Sequence, residues 1–236
     1  MISNLMGTSS HLDDDIKVLN VVIAIREREA ATYLRRGVLL LHQGEIQKAI
    51  ADFSKAIELD PNDASAYSNR GCCFSTIDQF DSAVADFDKA LLLNPELEVA
   101  LLSRSIAHSR MKEDRKAIED LSACIKLSPE KAELYLMLAK SRCNIEDYAQ
   151  ADLDASRALQ INPSFVDAYV LKGAIQAKLW NYDNSIRHLT KAIELDSNYA
   201  NAYLVRSYVH EAFGSIIYKR DRQRAFELDA TLGSEA

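Results

Sequence analysis

Apolar residues recur every three or four positions through most of the chain, and large and small ones fall in fixed places. From residue 30 onward, the fourth position of each 34-residue stretch reads Tyr33, Tyr67, Leu101, Tyr135, Tyr169 and Tyr203, and the eighth reads Gly37, Gly71, Ser105, Ala139, Gly173 and Ser207. Positions four apart share one face of a helix, so each stretch opens with a helix that sets a bulky residue beside a small one. The small residue predicts close approach of a second helix. That helix carries its own small set, Ala49, Ala83, Ala117, Ala151 and Ser185, with Phe53, Phe87 and Leu121 as large partners in the first three stretches.

All four prolines, Pro61, Pro95, Pro129 and Pro163, lie 34 residues apart, and each closes a stretch because proline cannot continue a helix. Asn62, Asp63 and Asn94 beside them supply turn or capping side chains. Displacing the chain by 34 brings Lys55-Ala56-Ile57-Glu58-Leu59-Asp60 over four later copies, the last being Lys191-Ala192-Ile193-Glu194-Leu195-Asp196. A sixth, Arg224-Ala225-Phe226-Glu227-Leu228-Asp229, follows after a step of 33, with Ala230 in the proline place. The pattern predicts helical hairpins at 30–63, 64–97, 98–131, 132–165, 166–199 and 200 to about 233, five regular and one degenerate.

Unit length and the Tyr, Gly/Ala, Ala and Pro places together resemble the tetratricopeptide repeat family over residues 30 to about 233. The resemblance implies an all-α fold, a right-handed α-solenoid of stacked helix-turn-helix repeats with a concave groove that binds protein or peptide. Departures are local. The third unit has Leu101 and Ser105 for Tyr and Gly, the fourth has Ala155 in the large-partner place, and the sixth lacks proline and spacing. Pentatricopeptide repeats, which read RNA, have a unit one residue longer, and an acidic chain suits that partner poorly.

Ahead of the repeats, residues 1–12 read as a flexible tail. Asp13, Asp14 and Asp15 favour a helix start, after which apolar residues fall on almost every side through Ile25. Extending the register backwards places Leu19, Val22 and Ile25 in the slots of Phe53, Ala56 and Leu59, so residues 13–29 read as a capping helix or half-repeat. The alternatives are a dimerisation helix, giving a homodimer, or a segment folded into its own groove.

Composition narrows the function. With 48% hydrophobic residues in 236, the chain buries a core, while 7 Gly and 4 Pro are too few for an all-β or loop-built protein. A net charge of −7 argues against nucleic acid as partner. The longest apolar run, 18–25, is too short to span a membrane. The segment 1–15 has no Lys or Arg ahead of an apolar run, as a signal peptide requires, and Cys72, Cys73, Cys124 and Cys143 have no metal-ligand spacing. A cytoplasmic protein is expected. Phosphate loops, zincin motifs and nucleophile elbows are missing, and the five His are scattered, so neither an enzyme nor a cofactor is expected.

In the resembled family the groove is lined by the first helix of each unit. Its fifth and ninth residues here include Leu34, Val38, Leu102, Ile106, Leu136, Val170, Leu204, Lys140 and Tyr208. With Asn69, these form the expected partner-binding set, a mostly apolar wall suited to an extended or helical segment. Relatives that clamp acidic chaperone tails use Lys, Asn and Arg on three successive first helices. Asn69 fills one such place, but Leu34, Val38, Val99 and Ser103 fill the others, so a two-carboxylate clamp is not expected. Basic residues recur at Arg36, Arg70, Arg104, Lys172 and Arg206, and acids at Asp52, Asp86, Asp120 and Asp154. Such co-recurrence predicts ion pairs between helices rather than a ligand-binding row. Lys219, Arg220, Arg222 and Arg224 read as a solvated terminal face. The expected function is a non-enzymatic adaptor or assembly-chaperone-like module, with a self-associating scaffold through the N-terminal helix as the alternative.

Overall fold

The computed structural model describes residues 3–25 and 29–233. Among them the secondary structure is helical throughout, with no strand. The helices are α1 (Ser3–Ile25), α2 (Ala30–His42), α3 (Ile46–Leu59), α4 (Ala64–Thr76), α5 (Phe80–Leu93), α6 (Glu98–Arg110), α7 (Asp114–Leu127), α8 (Ala132–Asn144), α9 (Tyr148–Ile161), α10 (Val166–Lys178), α11 (Tyr182–Leu195), α12 (Ala200–Ala212) and α13 (Tyr218–Leu228). A 3-10 turn, Ala230–Gly233, follows. The first helix of each pair starts at residue 30, 64, 98, 132, 166 or 200, the starts that the repeat predicts. This is the all-α solenoid class. The chain divides into two compact bodies, 1–120 and 121–236.

Each first helix ends in a residue with left-handed backbone: Gly44, Asp78, Lys112, Glu146, Trp180 and Gly214, all at φ between 57° and 78°. This αL cap returns the chain into the second helix, as when Glu45 N–H donates to Leu40 O at 2.9 Å. Glycine adopts it without strain at residues 44 and 214; the other four side chains carry a cost of roughly 1–2 kcal/mol each. The second helix ends in an Asx turn. Asp60, Asn94, Asn162, Asp196 and Asp229 each accept, through Oδ1, the N–H two residues on. Asp63 then caps α4 by accepting from Ser65 N–H at 2.8 Å.

In the N-terminal body, α2 packs on α3, α4 on α5, and α2, α4 and α6 on one another in succession. The large-small device determines how close they come. A Cβ added to Gly37 would lie 2.6 Å from Phe53, and one at Gly71 would lie 2.7 Å from Phe87. Both phenylalanines are fully buried. Arg36 donates from Nε and Nη2 to Asp52 at 2.7 and 2.6 Å, and the same fork joins Arg70 to Asp86 and Arg104 to Asp120. Each Arg also reaches with Nη1 to the preceding second-type helix: Asn20 for Arg36, Ser54 for Arg70 and Asp88 for Arg104. The predicted pairing is present, and it joins neighbouring hairpins as well as the helices within one.

Helix α1 begins at Ser3, ahead of the acidic run expected to start it. The tail expected over 1–12 is therefore helical from Ser3, and residues 1–2 lie outside the described residues. Ile16 packs against Leu40, Ala49, Phe53 and Cys73, and Gln43 donates to Asp13 Oδ1 at 2.6 Å.

In the C-terminal body, α8 packs on α9, α10 on α11 and α12 on α13. Ala139 and Ala155 share a cluster with Ala151 and Ile175, in the places where Gly and Phe meet in the first two hairpins. A Cβ on Gly173 would stand 2.6 Å from Leu189. The charge pattern also changes. Arg142 bonds Asp154 at 2.6 Å; Lys172 reaches back to Asp152 at 2.8 Å and Ser156 at 2.7 Å, since His188 holds the place of its own acid. The forked pair returns with Arg206 and Asp221.

Candidate functional site

The first helices carry the side chains expected to meet a partner, and the two bodies place them differently. In the N-terminal body Leu34 and Val38 on α2, Asn69 on α4 and Leu102 on α6 are half-buried. Ile106 is 45% exposed and Val99, also on α6, 59% exposed, an open apolar surface on one helix. Cys72 Sγ and Ser103 Oγ, 3.6 Å apart, join α4 to α6. Leu34, Val38 and Asn69 line a cavity of about 520 Å³ together with Arg35 and Leu39 of α2 and with Asp15, Val18 and Leu19 of α1.

In the C-terminal body Lys140 and Tyr208 are exposed and Leu204 is half-buried. Leu136 and Val170 differ from the expected groove wall. Leu136 is buried among Ala132, Ala158 and Ala168, and Val170 packs with Leu189, Ala192, Ala202 and Val209. The alanines leave space that these side chains fill, so little of either remains for a partner. The Tyr208 ring stacks under the Arg222 guanidinium at 5.3 Å, and Arg222 bonds Glu211 at 2.5 Å. Of the terminal basic cluster, Arg222 and Arg224 are therefore engaged, the latter with Glu227 at 3.3 Å.

Cys72, Cys73 and Cys143 are not activated thiols. Burial pushes the Cys73 and Cys143 thiols up to about 11 and raises Cys72, which keeps them protonated at neutral pH. His108 is buried against Glu113 at 2.8 Å. His188 and His210 are held below the ordinary range, first by burial and then, opposed by nearby acids, by Lys172 and Arg206 respectively. No group of three metal-ligating side chains comes together among the described residues. No described helix is long and apolar enough to cross a membrane.

Two features lie outside the expected set: the contribution of α1 to the cavity, and an exposed aromatic edge. Trp180, 79% exposed, meets Tyr182 edge-on at 6.2 Å, and Tyr182 meets Phe213 at 5.9 Å. The signal for the first was available, because Val18 stands one repeat before Asp52, an apolar residue in the place of an acid.

Family models described as tetratricopeptide repeat match residues 30–63, 64–97 and 166–199. A comparison with curated proteins finds no match. Among solved structures the chain is similar to YrrB, described as a TPR protein with an unusual peptide-binding site. That likeness is 22% identical, with a TM-score of 0.71, covering 78% of this chain and 95% of that one. MamA from Desulfovibrio magneticus is 20% identical, with a TM-score of 0.68, covering 72% of this chain and 96% of that one. A tetratricopeptide repeat protein from Parabacteroides merdae is 16% identical, with a TM-score of 0.73, covering 98% and 90%. At these identities the structures speak for the fold.

Proposed function

We propose that this chain, a tetratricopeptide-repeat protein, is a non-enzymatic adaptor or assembly-chaperone-like module that holds a peptide or protein segment on the apolar face of its first helices. The observation that carries the reading is the open α6 surface, where Val99 and Ile106 are largely exposed with Leu102 between them, continuing a series of first helices whose Leu34 and Val38 line an apolar cavity. An apolar surface of this kind is unfavourable in water, and covering it with a partner lowers the free energy. Asn69 adds a polar group that orients a bound backbone, and Leu204, Lys140 and Tyr208 extend the same reading to the C-terminal body. The peptide-binding description of YrrB supports this class of function for the fold. Cytoplasmic residence belongs to the same reading and rests on the free cysteines.

The test is affinity capture from the native cell by the full chain and by its L102S/I106S variant, followed by peptide mapping. Neither side chain is buried, so helicity should persist, while loss of two apolar contacts at a hot spot weakens binding by about 2 kcal/mol or more. Capture of only nucleic acid, or undiminished capture by the variant, would defeat the reading. Self-association through α1 is favoured by one observation, the exposure of Val18 at 62% and Val21 at 60%. Light scattering before and after removal of residues 1–28 separates it, since a dimer would become a monomer.

A further inference from the structure

The chain shows what normally stands where the N-terminal cavity is open. In the first two hairpins the second helix turns a small residue, an acid and a phenylalanine toward its first helix: Ala49, Asp52 and Phe53 on α3, and Ala83, Asp86 and Phe87 on α5. The first helix answers with Arg at the acid and Gly at the phenylalanine. One repeat earlier the same three places are Asp15, Val18 and Leu19 of α1, and these are the α1 residues that line the 520 Å³ cavity. The register is confirmed by a contact. Arg36 Nη1 bonds Asn20 as Arg70 bonds Ser54, each acceptor lying 16 residues before its Arg.

We propose that α1 is the second helix of an incomplete repeat and that the cavity beside it seats the missing first helix, supplied by a partner protein as an amphipathic helix of about the length of α2. The proposal rests on the reading of the chain as a peptide holder and specifies what sits at one end. Three features of the occupant follow from the lining. A small residue must face Leu19, as Gly37 faces Phe53. The residue before it must be apolar, because Val18 offers no carboxylate and a buried guanidinium there would lose its hydration without a counter-charge. First and second helices run antiparallel, so the occupant's last turn lies near the start of this half-repeat, where exposed Asp15 favours Lys or Arg and suits the negative end of the helix dipole.

The experiment uses the full chain and two labelled, helix-stapled peptides with the sequence of α2 followed by two lysines, one with Leu in the Arg36 place and one retaining Arg. The Leu peptide should bind at least tenfold more tightly than the Arg peptide. Val18→Asp, at an exposed position, should leave the circular dichroism unchanged and reverse the preference by at least tenfold, since it rebuilds the acid that Arg meets elsewhere in the array. Absence of binding by either peptide, or a preference that Val18→Asp does not alter, overturns the proposal. So does light scattering that shows the full chain to be a dimer made monomeric by Val18→Asp, because a second copy would then hold the seat. The L102S/I106S variant separates the two readings. Peptide preference that persists while capture is insensitive to that variant removes the open-face reading and leaves this one standing; the opposite pattern removes this one alone.

Discussion

The N-terminal body repeats one solution three times, whereas the C-terminal body uses several. Arg36, Arg70 and Arg104 each fork onto the acid 16 residues later and touch the acceptor 16 residues earlier. Beyond residue 121 the pairs become Arg142 with Asp154, Lys172 with Asp152 and finally Arg206 with Asp221. Packing changes in parallel, from Gly against Phe to Ala139 near Ala155. The difference teaches that the fold needs a filled helix–helix interface and a neutralised inward charge, and tolerates variation in which residues supply them, as where Ile175 joins Ala139 and Ala155.

The strongest way to break the comparison is to remove one cation from each body. Arg70→Met leaves Asp86 with little exposure and without its counter-charge, and should destabilise by about 3 kcal/mol; Arg142→Met strips a single-contact pair and should cost about half as much. Urea midpoints, with hydrogen exchange to localise the loss, check both. A comparable effect for the two would mean that the fork adds nothing.

Packing offers the next effect. Gly37→Ala places a methyl 2.6 Å from the Phe53 ring and should cost about 2 kcal/mol. In the C-terminal body Ala155→Phe should be similarly harmful alone, and Ala139→Gly should cost about 1 kcal/mol alone through lost helix propensity. The double variant Ala139→Gly/Ala155→Phe should recover much of the loss by recreating the N-terminal device. A strictly additive cycle would show that the two places do not share one volume.

The smallest effect is pH dependence in the C-terminal body. The folded pKa of His188 lies below its unfolded value, so its contribution to stability is full above about 6.5 and falls away as pH drops through the folded value. Asp154 has the opposite sign. Burial, opposed by Arg142, pushes it up to about 6, so its contribution is full below about 3.9 and lost as pH rises through 6. His188→Gln should flatten the acid side, and Asp154→Asn should stabilise slightly at pH 7.5. Thermal midpoints from pH 4 to 8 read both slopes.

Hairpin boundaries were legible because proline and the large-small places act locally: a helix that cannot continue must stop, and a residue without a side chain must be approached. The Arg and Asp rows were legible as pairs for the same reason, since 16 residues separate facing places on two packed helices. The partner face was legible only in part. Ile106 and Tyr208 stand open, but Leu136 and Val170 sink beside alanines 22 and 32 positions further along the chain, contacts between hairpins that no local spacing displays. The seat beside α1 is not legible in the sequence because it is defined by a missing helix, and periodicity describes what is present.

Every forked Arg joins its own hairpin to the one before by touching a short oxygen-bearing side chain, and Asn20, Ser54, Asp88 and Thr190 serve equally. Such a joint is interchangeable. A duplicated hairpin inserted after residue 63 or 97 would find a compatible end on both sides, so the array can lengthen there by copying without redesign of its neighbours. The Lys172 junction, which needs both Asp152 and Ser156, has no such spare part, and growth by duplication at that point would strand a lysine.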